Sequence, residues 1–414
     1  MKLPNLLIKR KEYIKTKKTS NYLFNLINSS KNFISFEKWM LENLYTYKIG
    51  YYNSMIRNSF YELLFENYNH YYQNSKKIKN QFYNDFLTSP ELTNLFSKIL
   101  SNEIFKVLHT INDIILIEFG AGTGSMANNI INSINFFGIK IKYIIFEVST
   151  ELKLIQQKNL INHGSKIKWF KKINNFFKSF TLMNEILDSI PISIFSFDKL
   201  GNLIEKYILI NKKKYFFLSN LSASTKTQLN LKKKFKNIQP KYTSEINLRH
   251  KLFINKLIIF LTIFVIMIID YGFTQDEYYH KQRSFGTLIV HINNLSHDSI
   301  LLLPGIQDIT SHVDFTYISQ ISKEKNKVKI LGFTEQGRYL INSGLIKYMK
   351  LKKKSYSLKK YLVNNIYINS INQLISEEEM GNIFKILFLS KNVKPVLSGL
   401  NIRNLVKDIL KKLY

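Results

Sequence analysis

The chain contains no cysteine, and proline (6), glycine (15) and tryptophan (2) are scarce among its 414 residues. The missing thiols exclude disulfides, thiolate zinc sites, cysteine-held iron–sulfur centres and cysteine nucleophiles together. With 45% hydrophobic residues, a chain of this length can bury one large core or two smaller ones without such staples. Acids are scarce too: 29 Asp and Glu against 60 Lys and Arg, a formal charge of +31. An excess of that sign often marks a nucleic-acid or anionic-membrane partner. Here the basic residues are mostly Lys and are scattered over the whole chain, whereas a nucleic-acid groove gathers charge and stacking aromatics along one path. Abundant Asn, Ile, Phe and Tyr fit a coding bias toward A and T, so nucleic-acid binding is not expected. Long apolar runs are absent as well. The best, Leu257 to Ile269, falls short of the ~20 residues that span a bilayer. It ends at Asp270-Tyr271-Gly272 and reads as a buried strand entering its turn. The first twenty residues are basic but lack the apolar core and cleavage site of a secretory signal. A soluble chain with no transmembrane segment is expected.

Residues 1–110 have helical periodicity interrupted by polar stretches, with Ser35 a candidate cap for a helix through Leu44. Asn69 to Gln81 reads as an exposed loop, and Thr88-Ser89-Pro90-Glu91 opens a helix expected to run through about Leu100. At 114–119 the pattern changes to IILIEF, followed by Gly120-Ala121-Gly122-Thr123-Gly124, a helix from Ser125, and YIIFE ending at Glu147. Strand, glycine turn, helix, strand is the opening of a parallel α/β sheet. More strands are expected at 166–170, at 179–183 and before Asp270, with edge candidates at 327–333 and 383–389. Their near-continuous apolar character suits strands covered by helices on both faces. IEKYILI and KYFFLSN predict a hairpin around Asn211-Lys212, followed by a Lys-rich tract and a helix from about Ser244. The expected organisation is an N-terminal helical region (1–110), a first part of the core (111–195), an insertion (196–250), a core helix and strand (251–272), a second insertion (273–326) and a C-terminal part of the core (327–414).

The spacing Glu118-x-Gly120-x-Gly122-x-Gly124 is not the Gly-x-Gly-x-x-Gly of dinucleotide folds, and no P-loop Lys-Ser/Thr follows it. Glycines let a flat adenosyl group approach the backbone closely. Glu147, ending the second strand, is placed to accept hydrogen bonds from ribose hydroxyls, and Glu118 to meet a cationic ligand end. The combination favours S-adenosylmethionine, which has an amino-acid tail and no phosphate, over an ordinary glycine turn with a solvated Glu147. The second polar cluster is Asn184-Glu185-Ile186-Leu187-Asp188-Ser189-Ile190-Pro191. If it begins a helix, Glu185 and Asp188 are i,i+3 neighbours at the sheet edge where open α/β folds bind ligands. Carboxylates there suit a guanidinium; two acids serving a helix dipole are the competing reading. The residues alone leave both open.

At these residues the chain resembles the MidA-like family of S-adenosylmethionine-dependent methyltransferases, from about residue 30 to 390. The resemblance is carried by ISFEKWM (34–40), Tyr51-Tyr52, Asp85-Phe86-Leu87-Thr88-Ser89-Pro90-Glu91, the glycine turn, Glu147 and NEILDSIP (184–191). It continues through SEIN (244–247), DYG (270–272), Glu277-Tyr278-Tyr279, Gly286-Thr287-Leu288, His291, Pro304-Gly305, Asp308-Ile309-Thr310, His312-Val313-Asp314-Phe315, Gln336-Gly337 and Met380-Gly381. Where the family usually has Gly before the Asp-Phe pair, this chain has Asn84. The resemblance implies an α/β fold: a Rossmann-like class I SAM-dependent methyltransferase sheet with N-terminal helices and two insertions. It implies S-adenosyl-L-methionine as cofactor, with Glu118, Gly120, Gly122, Gly124, Glu147 and Asn184 as the binding residues. The implied reaction is methyl transfer to an arginine side chain of a protein. Glu185, Asp188 and Glu245 are the candidate catalytic acids, with Glu185 the preferred proton acceptor and Glu245 equally readable as a plain acid at a helix start. No metal is expected, since the sulfonium is already activated.

A respiratory complex I subunit is the implied acceptor, in the mitochondrial matrix if the chain is eukaryotic and in the cytoplasm if it is bacterial. A homodimer is left open. Two other functions stay beside this one: a methyltransferase acting on RNA or a small molecule, and a non-catalytic respiratory complex assembly factor.

Overall fold

The long apolar runs become the centre of a mixed sheet. The structure, a computed structural model, describes residues 10–30, 32–53, 88–111, 115–136, 138–172, 177–200, 202–212, 214–222, 241–293, 295–324, 327–353, 361–400 and 404–410. The loop expected at Asn69 to Gln81, residues 84–87 of the Asp-Phe marker and the Lys-rich stretch 223–240 lie outside the described residues. The chain divides into two units: residues 1–86, 189–249 and 279–311 form the first, and 87–188, 250–278 and 312–414 the second. Residues 87–110 thereby group with the main sheet.

In the first unit, helices Arg10–Ser29 and Phe36–Tyr45 join an antiparallel sheet. Ser35 caps the second helix, its hydroxyl accepting from the Lys38 N–H at 3.2 Å. Leu23, Ile27, Phe36, Trp39, Ile194 and Ile208 pack into one core. The strands run in the order Phe33–Ser35, Leu203–Asn211, Ser193–Phe197, Thr243–Ile246, and Lys214–Ser222 forms the expected hairpin with Leu203–Asn211. The helix expected from Ser244 is corrected: Thr243–Ile246 is a strand paired antiparallel with Ser193–Phe197, and the helix, Leu248–Phe260, begins only after Asn247. The pairing with Ser193–Phe197 decides the conformation, and Ser244, Glu245 and Ile246 are all buried there. A small sheet of Leu295–His297, Ile289–Ile292 and Asp308–Thr310 occupies a stretch whose sequence carries no clear period.

In the second unit the main sheet comprises β1 (Ile115–Phe119), β2 (Lys142–Phe146), β3 (Ile167–Phe170), β4 (Phe177–Asn184), β5 (Leu261–Phe273), β6 (Val328–Glu335) and β7 (Phe384–Lys391), with the short segment Val313–Asp314 added beside the end of β5. Their spatial order is β6-β7-β5-β4-β1-β2-β3. The pairings β3–β2, β2–β1, β1–β4 and β4–β5 are parallel, and β7 is antiparallel to both β5 and β6. Glycine turn, helix and strand thus recur as the sequence pattern anticipates, and the two late segments close one end of the sheet, β6 at the edge and β7 beside it. Helices Asn94–Ile111 and Ser125–Phe136 bury Phe96, Ile99, Ile104, Met126, Ile130 and Ile134 against the sheet. The helix expected from Ser89 to Leu100 is broken: Ser89–Leu92 ends at Thr93, which is extended (φ −158°, ψ 144°). The Thr93 hydroxyl then accepts the Leu95 N–H at 3.2 Å and starts the next helix. Asp314 caps Phe315–Lys323 by accepting the Tyr317 N–H at 2.9 Å.

Gly272, near the end of β5, is required for space. A Cβ there would lie 2.2 Å from the Val313 carbonyl oxygen and 2.8 Å from its nitrogen. Backbone cannot swing aside as a side chain can, so Gly272→Ala is expected to destabilise the fold by about 1–3 kcal/mol. Urea denaturation of the variant measures the loss; a midpoint equal to that of the wild type would contradict the packing described.

Candidate active site

The C-terminal ends of the parallel strands carry the two loops singled out in the sequence. β1 leads into the glycine turn, β2 into Glu147 and β4 into Asn184 and Glu185. The Gly120 N–H donates to the Phe146 carbonyl at 2.9 Å, and the Glu147 N–H to the Phe170 carbonyl at 3.0 Å, which ties the turn and the acid to neighbouring strand ends.

Gly120, Gly122 and Gly124 all have positive φ (60°, 53° and 84°), backbone that L side chains adopt only at a cost. A Cβ on Gly122 would meet nothing within 4 Å among the described residues, so the turn opens onto free space there. At Gly120 a Cβ would lie 2.4 Å from Ile186 Cδ1, so the missing side chain lets the acidic loop pack against the turn. Helix Thr150–Asn159 braces the same turn. Gln156 Nε2 donates to the Gly122 carbonyl and to Glu147 Oε2, both at 2.9 Å, and Asn159 Nδ2 donates to the Thr123 carbonyl at 2.9 Å. The Thr123 hydroxyl donates to Glu91 Oε1 at 2.5 Å.

Glu147 is 4% exposed, and its other oxygen accepts the Ser149 N–H at 2.9 Å. Burial raises its pKa. Glu118 is 1% exposed and accepts the Tyr143 hydroxyl at 2.7 Å, a diagonal cross-strand contact between β1 and β2. Burial pushes the Glu118 pKa up to about 7, with a smaller push from Glu147, against the pull of the Tyr143 hydrogen bond.

The acidic stretch departs from the helix considered above. Residues 185–190 form bends and turns, and Glu185 has φ 55°. The i,i+3 helical relation of Glu185 and Asp188 therefore does not exist. Their proximity comes instead from the end of β5. The Glu185 N–H donates to the Ile269 carbonyl at 2.9 Å. Asp270 Oδ2 then accepts the N–H groups of Ile186 (3.2 Å), Leu187 (2.9 Å) and Asp188 (3.4 Å), and Oδ1 accepts that of Tyr271 (3.0 Å). Asp270 is fully buried, and its pKa is pushed well above the usual carboxylate range by burial and then by Asp188 and Glu185. Asp188, 2% exposed, accepts a short hydrogen bond from the Tyr271 hydroxyl. His250 binds the Leu187 carbonyl at 2.8 Å through Nε2; burial lowers its pKa to about 4, so it is neutral and donates there. Asn184 Nδ2 donates to Glu185 Oε1 at 2.9 Å.

An adenosyl ligand fits these residues on two counts. The turn has open space at Gly122, and the buried Asn184 Oδ1 has no donor among the described residues. Glu118, Gly120, Gly122, Gly124, Glu147, Asn184, Glu185 and Asp188 all belong to the second unit, whereas Glu245 belongs to the first. The Glu245 carboxylate accepts the N–H groups of Thr287 (2.8 Å) and Leu288 (3.1 Å) and the Thr287 hydroxyl (3.2 Å). Sequence reasoning missed Gln156, Asn159, Tyr143, Asp270 and His250. For Asp270 the signal was present, an acid ending a run of apolar residues; the amides and the histidine carried none. Among the described residues no His, Asp and Glu cluster could hold a metal ion, and no helix is long and apolar enough to cross a membrane.

Known proteins resemble this chain in sequence and in fold. A family described as "Putative S-adenosyl-L-methionine-dependent methyltransferase" matches residues 99–334. The chain is similar to "Protein arginine methyltransferase NDUFAF7 homolog, mitochondrial" of Caenorhabditis elegans, 27% identical over 289 residues that cover 63% of this chain and 65% of that protein. It thus spans just under two thirds of the worm protein's length. It is also 24% identical over 366 residues to "Protein arginine methyltransferase NDUFAF7, mitochondrial" of Bos taurus, covering 77% of this chain and 76% of that one. Among solved structures, a Burkholderia thailandensis protein bound to S-adenosyl-homocysteine superposes with a TM-score of 0.84 at 25% identity, covering 97% of this chain and 98% of that chain.

The buried Glu118 gives a pH signature. A carboxyl with a higher pKa folded than unfolded holds an extra proton in the folded state. Its contribution to stability is complete below the ordinary value of 4.5 and is lost as pH rises through about 7. Glu118→Gln removes that loss, so the melting temperature of the variant should rise relative to the wild type between about pH 5 and about pH 8. Thermal denaturation across that range checks it; a difference constant with pH would refute the assignment.

Proposed function

Because the chain belongs to the MidA-like family of S-adenosyl-L-methionine-dependent methyltransferases, we propose that it methylates an arginine side chain of a protein. The observation that carries this reading is the contact of Ile186 with Gly120, which sets an acidic loop directly against the cofactor turn. Gly120, Gly122 and Gly124 with Glu118, Glu147 and Asn184 form the cofactor side. When bound, the cofactor supplies a methyl group already activated by its sulfonium.

A guanidinium is protonated at neutral pH and offers five N–H donors in a planar fork. Glu185 is half-buried at the loop's start and holds that fork through charge-assisted hydrogen bonds. Holding it in line is the larger part of catalysis, since a fixed near-attack geometry removes much of the entropic barrier. As the nitrogen–carbon bond forms the nitrogen must lose a proton, and Glu185 accepts it. Asp188, held by Tyr271, adds a fixed negative field rather than a proton acceptor. Glu245 we assign to structure, because its carboxylate fixes residues 287 and 288. The names of the curated relatives favour a mitochondrial location over a cytoplasmic one, and a respiratory complex I subunit is the acceptor that the family resemblance suggests.

Methyl-labelled cofactor added to purified protein and a mitochondrial extract tests the reading, with the modified residue identified by mass spectrometry. Label is expected on protein arginine and should fall about a hundredfold or more in Glu185→Gln. Label on RNA, on a metabolite or on lysine would replace the proposal. The cofactor side is tested separately by calorimetry with S-adenosyl-homocysteine. Gly122→Val adds about 1–2 kcal/mol of backbone strain and fills the open space, so binding should weaken at least about tenfold while the variant remains folded. Unchanged affinity would remove the turn from the site.

A further inference from the structure

The geometry points to Asp270 and Tyr271 as the positioning pair for the acceptor side of the site, an inference that rests on the methyl-transfer reading above. The two are consecutive on β5 but act on one loop in different ways. Asp270 takes its backbone and Tyr271 takes its acid.

Four successive N–H groups, from Glu185 to Asp188, find their acceptors on β5: the Ile269 carbonyl for the first and Asp270 Oδ2 for the other three. Such a clamp explains how Glu185, which is not glycine, is kept at φ 55°. A strained residue persists only where its surroundings over-determine it. Both oxygens of Asp270 accept N–H groups. An amide in its place therefore turns a donor toward a donor whichever way it flips.

Tyr271 fixes the side chain of Asp188. Its ring meets Phe384 edge-on (5.3 Å, 89°) and the ring of His312 (5.4 Å, 68°), and its hydroxyl reaches the Asp188 carboxylate. These ring contacts do not need the hydroxyl, so Tyr271→Phe removes one hydrogen bond and leaves the packing. Neither residue has to touch the acceptor. Asp270 sets where the loop stands, and Tyr271 sets which way one of its carboxylates faces.

The test uses the full chain and the variants Asp270→Asn and Tyr271→Phe. Three quantities are read: affinity for S-adenosyl-homocysteine, the rate of methyl transfer to the labelled protein of the extract, and amide hydrogen exchange at residues 186–188. Both variants should bind S-adenosyl-homocysteine within about threefold of the wild type and transfer methyl groups at least about tenfold more slowly. Only Asp270→Asn should speed exchange at 186–188. A residue with a merely structural role would lower cofactor affinity and transfer together. The inference is overturned if Tyr271→Phe transfers at the wild-type rate, if Asp270→Asn leaves 186–188 as protected as before, or if affinity falls in step with rate. Should Asp270→Asn fail to fold, the rate of Tyr271→Phe decides. Should the wild type label no protein, the acceptor reading fails, and exchange in Asp270→Asn still decides whether the clamp exists.

Discussion

A buried loop without helix or strand has to find acceptors for its own N–H groups, since each one left unpaired costs about 1–3 kcal/mol. In residues 185–188 that requirement is met by the end of β5. The rest of the candidate site follows from it. With the backbone held, Ile186 lies over Gly120, and only a glycine leaves room for it. The glycine turn is in turn held by Gln156 and Asn159 from one helix and by Glu91 through Thr123 from another. Cofactor turn and acidic loop are thus one packed arrangement. Removing the side-chain acceptor at Asp270 would release the acidic loop, while Gln156, Asn159 and Glu91 keep the glycine turn in place.

The same constraint sets the electrostatics. Asp270 and Asp188 are buried, Glu185 half-buried, and their negative charges oppose one another: burial first, then Asp188 and Glu185, raise the Asp270 pKa. Carboxyls crowded in this way do not all ionise together in water-poor surroundings. A cation arriving beside them relieves the repulsion, and a guanidinium does so while filling the acceptor sites with directed donors. Tyr271, whose own pKa is raised by burial and by the same acids, stays protonated and remains a donor.

Much of this was legible in the sequence because it depends on local chemistry. The apolar runs at 114–119, 143–146 and 264–269 became β1, β2 and the centre of β5, since a strand covered on both faces must be apolar throughout. Ser35 capped the helix assigned to it because a cap reads only its own next turn. What failed depended on distant partners. Ser244 has the composition of a helix start, yet its segment pairs with residues 193–197, some fifty positions earlier. The acidic loop looks helical in one dimension, but Asp270, more than eighty residues later, supplies the acceptor that a further helical turn would have supplied. The brace from Gln156 to Gly122 and Glu147 is invisible for the same reason, because a glutamine on an exposed-looking helix announces no partner.

The acids of this chain can be sorted by what their oxygens face, which spacing does not reveal. Asp270 and Glu245 lie in different units and do the same work, each carboxylate closing a loop by accepting consecutive backbone N–H groups. An acid engaged in this way cannot turn to a ligand without releasing its loop, so burial and an acidic motif alone are poor guides to chemistry. Glu185 differs in kind. Its carboxylate accepts from the side-chain amide of the residue before it, a bond that holds no distant backbone in place. The distinction between an acid that holds the fold and one that can meet a substrate therefore rests on whether its partners are backbone donors of another segment.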